Sequence, residues 1–156
     1  MLNKLLVYCL NVVDVEYDID FDIVKPDIEL NNLIKKISEK KIIFTNADRI
    51  YAEKIITRLG LEDTFDDIFD IEKADYIPKP NIATYKKLIS TYGFDVEKAI
   101  IFDDIPNNLI PAADLGLTTV QVYNKNLDKE LNGTSKKIDY MTTNLKEWLQ
   151  TWITNN

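Results

Sequence analysis

The run Ile100-Ile101-Phe102-Asp103-Asp104-Ile105-Pro106-Asn107-Asn108-Leu109 sets an apolar strand, an adjacent carboxylate pair and a helix start one after another. Apolar residues rich in isoleucine and bounded by polar ones read as a short buried strand, so Asp103 and Asp104 fall where it runs out into solvent. In an open α/β sheet that is the edge at which ligands bind. Adjacent carboxylates repel each other unless a positive group lies beside them, and a hard cation such as Mg²⁺ is their natural partner. A plainer role also fits the pair, with either aspartate capping the helix that starts near Pro106.

Working outward, strand and helix alternate in both directions. Ala99 to Phe102 is the strand, Asn107 to Leu115 the helix closed by Gly116, and Thr118 to Tyr123 the next strand. Upstream, Asn81 caps a helix to Tyr92 that Gly93 stops, and Tyr76-Ile77-Pro78-Lys79-Pro80 is a loop because each proline holds the residue before it extended. A short strand lies around Ile68 to Ile71. Before it come a helix over Asp48 to Leu59 ended by Gly60, with Ile50, Ile55, Ile56 and Leu59 as core candidates, and a strand over Lys41 to Thr45. Pro26-Asp27 opens a helix over Ile28 to Glu39, with Ile28, Leu30, Leu33, Ile34 and Ile37 on one face.

Lys4 to Val13 is the first strand, as nearly continuous in apolar character as a central parallel strand should be. The acidic, aromatic segment 14–26 is a connector. Towards the end, residues 127–137 form a loop or frayed helix with a turn at Asn132-Gly133-Thr134, Ile138 to Met141 a short edge strand, and Leu145 to Ile153 an amphipathic helix. That helix holds Trp148 and Trp152 one turn apart, as core residues or as anchors for a partner. The alternation predicts an α/β fold with a mainly parallel sheet, in a single domain over residues 1–156. Loops after Thr45, Ile71 and Asp103 should then converge on one edge.

Composition removes several kinds of chemistry. With no histidine among 156 residues, Ser-His and Cys-His catalysis and histidine-based zinc sites are excluded. A net charge of −7 without a Lys/Arg cluster argues against a nucleic-acid partner and against an anionic membrane surface. The lone cysteine, Cys9, has no internal partner, which fits a reducing, cytoplasmic setting. No apolar run reaches membrane-spanning length. A small anionic ligand stays open, since local donors can offset the overall sign.

Two further features belong at the same edge as the aspartate pair. Phe44-Thr45-Asn46-Ala47-Asp48 places a hydroxyl and an amide between a strand end and a helix start, where backbone N–H groups and the helix dipole favour a phosphate; helix capping by Thr45 or Asn46 is the simpler use. Lys79, between two prolines, is a cation on a stiffened loop, suited to an anion or else an ordinary solvated lysine.

Taken together these motifs resemble the haloacid dehalogenase (HAD) superfamily of phosphohydrolases, and within it the pyrimidine 5′-nucleotidase-like branch. Phe44-Thr45-Asn46-Ala47-Asp48-Arg49 is similar to that branch's second motif, Ile77-Pro78-Lys79-Pro80 to its third, and Ile101-Phe102-Asp103-Asp104 with Asn108 and Gly116-Leu117-Thr118-Thr119-Val120 to its fourth. The resemblance implies a three-layer Rossmannoid core, phosphate binding by Thr45, Asn46 and Lys79, and Mg²⁺ held by Asp103 and Asp104. The family's first motif, Asp-x-Asp-x-Thr at the end of strand one, is missing. Aligned on Lys4-Leu5-Leu6-Val7, Cys9 stands at the nucleophile position and Asn11 at that of the general acid/base.

Asparagine cannot give up and recover a proton at neutral pH, and a thiolate near Asp103 and Asp104 is disfavoured by like charge unless the metal is bound. Losing a carboxylate should also weaken Mg²⁺. Two other registers stay open: Asp14-Val15-Glu16 imitates the motif, and Asp18-Ile19-Asp20 has its literal spacing. The connector is too short for the helical cap this branch inserts there, which implies an open, capless site.

Three functions follow as expectations. One is a catalytically impaired HAD-like protein, a pseudoenzyme that retains a phosphate- and Mg²⁺-binding edge. Another is an active Mg²⁺-dependent phosphatase of nucleotides or other small phosphate esters, using Asp14 and Glu16. The third is an interaction module whose protein partner covers the open sheet edge.

Overall fold

The computed structural model describes residues 5–10, 25–123 and 136–155. Asn11, Asp14, Glu16, the Asp18-Ile19-Asp20 spacing and the turn at Asn132 lie outside these residues.

Among the described residues, six parallel strands build one sheet: β1 (Leu5–Leu10), β2 (Lys41–Thr45), β3 (Asp67–Phe69), β4 (Ala99–Asp103), β5 (Thr118–Val122) and β6 (Tyr140–Thr142). Their order across the sheet is β3-β2-β1-β4-β5-β6. Helices α1 (Ile28–Lys35), α2 (Arg49–Leu59), α3 (Ile82–Tyr92), α4 (Pro106–Asp114) and α5 (Leu145–Asn155) cover it. The fold class is the α/β Rossmannoid one expected. Alternation along each strand splits the core in two. Ile42, Phe44 and Ile101 join Tyr85, Leu88 and Leu109 of α3 and α4 on one face. Ile43, Ile100 and Phe102 join Ile34, Ala52, Ile56 and Leu149 of α1, α2 and α5 on the other.

Local chemistry sets the element ends. Asp48 caps α2 by accepting from the Tyr51 N–H at 2.7 Å, and Asn81 caps α3 through Ala83 at 3.0 Å. Gly60 and Gly93 end these helices in the left-handed region, at φ 69° and 63°, which costs a side-chain-bearing residue strain. The α1 helix stops at Lys35, short of the predicted Glu39, because the Lys41 ammonium turns back onto the carbonyls of Ile37 and Glu39. Ile28 and Ile50, expected in the core, are 73% and 69% exposed. Both sit in first turns, ahead of Leu33 and Ala52 where burial begins. The third strand is Asp67–Phe69 rather than 68–71, since the Asp70 carboxylate turns to accept from the Lys73 N–H. The tryptophans of α5 pack as core neighbours, Trp148 edge-on to Phe102 at 5.2 Å.

The edge strand β3 is closed by side chains. Arg49 donates to the Ile68 carbonyl at 2.9 Å and to Asp67 at 3.0 Å, and Asp67 also accepts from Lys73 at 2.6 Å and Tyr92 at 2.9 Å. Such cover keeps an edge from pairing with other chains. Burial pushes the Asp67 carboxyl up, but the hydrogen bonds from Lys73, Tyr92 and Arg49 outweigh it and hold the group far below the ordinary carboxylate range. Because the folded value is depressed, the stabilisation is complete above the unfolded pKa of about 4 and fades as pH falls below it. Asp67→Asn should therefore lower the unfolding free energy by a constant gap between about pH 5 and 8, shrinking below about pH 4. Urea titrations across pH measure that gap, and a gap widening in acid would contradict it.

Candidate functional site

The strand order reverses direction between β1 and β4, and in open α/β sheets the crevice beyond the carboxyl ends of such strands is where ligands bind. Register fixes what meets there. Tyr8 pairs with Phe102 and Cys9 with Phe44, so the Cys9 backbone lies level with Asp103, the residue after Phe102. Leu10 is level with Thr45.

Thr45 is 1% exposed and its Oγ1 accepts from the Ala47 N–H at 3.0 Å, which orients the hydroxyl at the entry to α2. Asn46 uses both ends of its amide on the loop after β3. Its Oδ1 accepts from the Lys79 N–H at 2.8 Å and its Nδ2 donates to the Lys79 carbonyl at 3.2 Å. A further bond, from the Ile71 N–H to the Ala47 carbonyl, ties the same loop down. Ahead of Lys79, Asp75 and Tyr76 hold φ of 53° and 60°, values costly for residues other than glycine. Strained backbone of this kind persists where its surroundings over-determine it.

These restraints carry the Lys79 side chain inward. Its ammonium lies 3.1 Å from Asp103 Oδ2 and 3.3 Å from the Phe44 carbonyl, with both side chains of the ion pair fully buried. It also stands 4.9 Å above the Phe44 ring. A solvated lysine, the plainer expectation, is thus replaced by a buried one. Asp103 is held from other sides too: Asn108 Nδ2 reaches both of its oxygens, at 3.1 and 3.3 Å, and the Ile105 N–H donates to Oδ1 at 2.8 Å. The capping role for the aspartate pair is not what forms. Ile105 occupies the N-cap of α4 without a side-chain cap bond, and Pro106 starts the helix.

The structure therefore brings together Thr45, Asn46, Lys79 and Asp103 with the Cys9 backbone beside them, and leaves Asp104 exposed next to Asp103. Asn108, which the sequence included in the resemblance to the fourth motif without a role of its own, proves to be a hydrogen-bond donor to Asp103. Its signal was its place in the first turn after β4, where an amide points back at the strand end. Asp70, 3% exposed just after β3 with Arg49 Nε at 3.9 Å, is a further buried carboxylate, for which the sequence carried no motif.

Mg²⁺ is tested by the donor set. A hard octahedral ion wants several carboxylate or carbonyl oxygens. Both oxygens of Asp103 already accept from Lys79, Asn108 and Ile105, and among the described residues no group of three Asp, Glu, Cys or His is placed around an ion. Of the carboxylates that would hold a Mg²⁺ ion at this edge, Asp103 is thus shared with three donors and Asp104 is exposed beside it. Among them, no helix is long and apolar enough to cross a membrane.

Residues 3–116 match the family described as a haloacid dehalogenase-like hydrolase. The L-2-haloacid dehalogenase of Xanthobacter autotrophicus, solved with chloropropionic acid covalently bound, superposes with a TM-score of 0.68 at 14% identity, over 85% of this chain and 62% of its own. An uncharacterized protein from Listeria monocytogenes serotype 4b superposes with a TM-score of 0.65 at 14% identity, over 98% and 99%. The UTR4 protein of Saccharomyces cerevisiae does so at 0.59 and 17% identity, over 75% and 54%. The chain spans less than two thirds of the length of the dehalogenases it resembles. At these identities the likeness is one of fold.

Proposed function

The chain belongs to the haloacid dehalogenase-like hydrolases, and on that footing we propose that it is a pyrimidine 5′-nucleotidase-like variant that binds a phosphate-sized anion at the Thr45 edge while its hydrolytic chemistry is impaired. The observation that carries this reading is the register of β1, with Cys9 level with Asp103 at the strand end where the family resemblance expects an attacking carboxylate. At a strand end shared with carboxylates, like charge disfavours a thiolate. Lys79 is engaged by Asp103. Asn11, two residues on, offers no proton transfer.

Anion binding draws on Thr45 and on the loop held by Asn46. The Thr45 hydroxyl, already accepting from Ala47, keeps its own proton to donate. Lys79 and Asn46 act from beneath, fixing the loop. Titration of inorganic phosphate by calorimetry tests this: the wild type should bind saturably, Thr45→Ser similarly, and Thr45→Val about fivefold more weakly, the value of one hydrogen bond. Equal affinity in Thr45→Val would remove Thr45 from the site.

A second reading, a binding module whose protein partner covers this edge, draws on the exposed apolar side chains of Ile50, Tyr76, Ile77 and Ile105, carried by the segments that follow β2, β3 and β4.

A further inference from the structure

Between α5 and the β4-β5-β6 side of the sheet runs a cleft of about 730 Å³, and none of its lining residues belongs to the Thr45, Lys79 and Asp103 cluster. The volume lies within the range of small-molecule sites. Both tryptophans of the chain line it. Trp152 stacks on Trp148 with ring planes 10° apart and centroids at 6.5 Å, and Tyr140 meets Trp148 edge-on at 6.1 Å. Trp148 is anchored on Phe102, Trp152 is half-buried against the same core, and Tyr140 is 53% exposed, so part of their aromatic surface borders the cleft.

Aromatic faces take up flat groups and, through the ring quadrupole, cations. Charge selects between them. Glu97 and Glu147 line the cleft, whereas its lysine, Lys98, is paired with Asp95 at 2.9 Å. We infer that this cleft is a binding site for a small organic cation with a flat, delocalised head group of the amidinium or guanidinium class, stacked on Trp152 and Tyr140 and balanced by Glu97 and Glu147. The site stands apart from the Asp103 edge and does not depend on what that edge does.

The chain carries its own probes, since its two tryptophans both line this cleft. In ¹H–¹⁵N spectra of the ¹⁵N-labelled full chain, benzamidinium should shift both indole signals saturably, and benzamide, its neutral isostere, should bind at least about tenfold more weakly. The Glu97→Gln/Glu147→Gln variant, changed only at exposed positions, should bring benzamidinium down to the level of benzamide. Shifts that rise linearly without saturating would overturn the site. Equal affinity for the two probes, or an unchanged benzamidinium affinity in a double variant whose spectrum stays dispersed, would overturn the cation.

Discussion

Lys79→Met is expected to cost about 3–5 kcal/mol of stability, because it strands the Asp103 carboxylate in a site where neither partner's side chain is exposed. The donors Asn108 and the Ile105 N–H are neutral and do not replace a full charge 3.1 Å away. Removing both charges is a different matter. A buried ion pair loses most of its Coulomb energy to desolvation, so Lys79→Met/Asp103→Leu should recover most of what the single change loses. Urea unfolding of the wild type, the two single variants and the double variant gives the coupling between them. A Lys79→Met variant within about 1 kcal/mol of the wild type would show that this pair does not hold the edge together.

The second large effect is a gain. Cys9→Asp combined with Asn11→Asp should raise phosphate release from nucleoside monophosphates by at least about a hundredfold over the wild type, the low end of what a positioned acid/base contributes. The two new carboxylates would also add hard oxygen donors at the end of β1, so the gain should require Mg²⁺ in the assay. Each substitution alone should do little, since nucleophile and acid/base act as a unit. A silent double variant that folds and still binds phosphate would count against the Cys9/Asn11 register.

Much of the fold was legible because it rests on local chemistry. Asp48 and Asn81 could be read as caps, and Gly60 and Gly93 as helix ends, since each satisfies backbone groups within a few residues of itself. Ile28 and Ile50 were misjudged because helical periodicity says which side is apolar, not how far a first turn projects beyond the sheet. The early end of α1 depends on Lys41, a residue of the next strand reaching back. At the site, the residues that converge could be anticipated from the strand ends, but their state could not. Lys79 is buried because Asn46, 33 positions earlier, clamps its backbone and Asp103, 24 positions later, accepts its ammonium. No local pattern announces such a pairing, and the buried ion pair appears only once the loop is seen in place.

The most direct test is phosphate release from a panel of nucleoside monophosphates and an aryl phosphate, with and without Mg²⁺, comparing the wild type with Asp103→Asn. An impaired member of this family predicts no release by the folded wild type above the Asp103→Asn background, under either condition. Mg²⁺-dependent turnover by the wild type that disappears in Asp103→Asn would contradict that, and would make Asp14 and Glu16 the next residues to change.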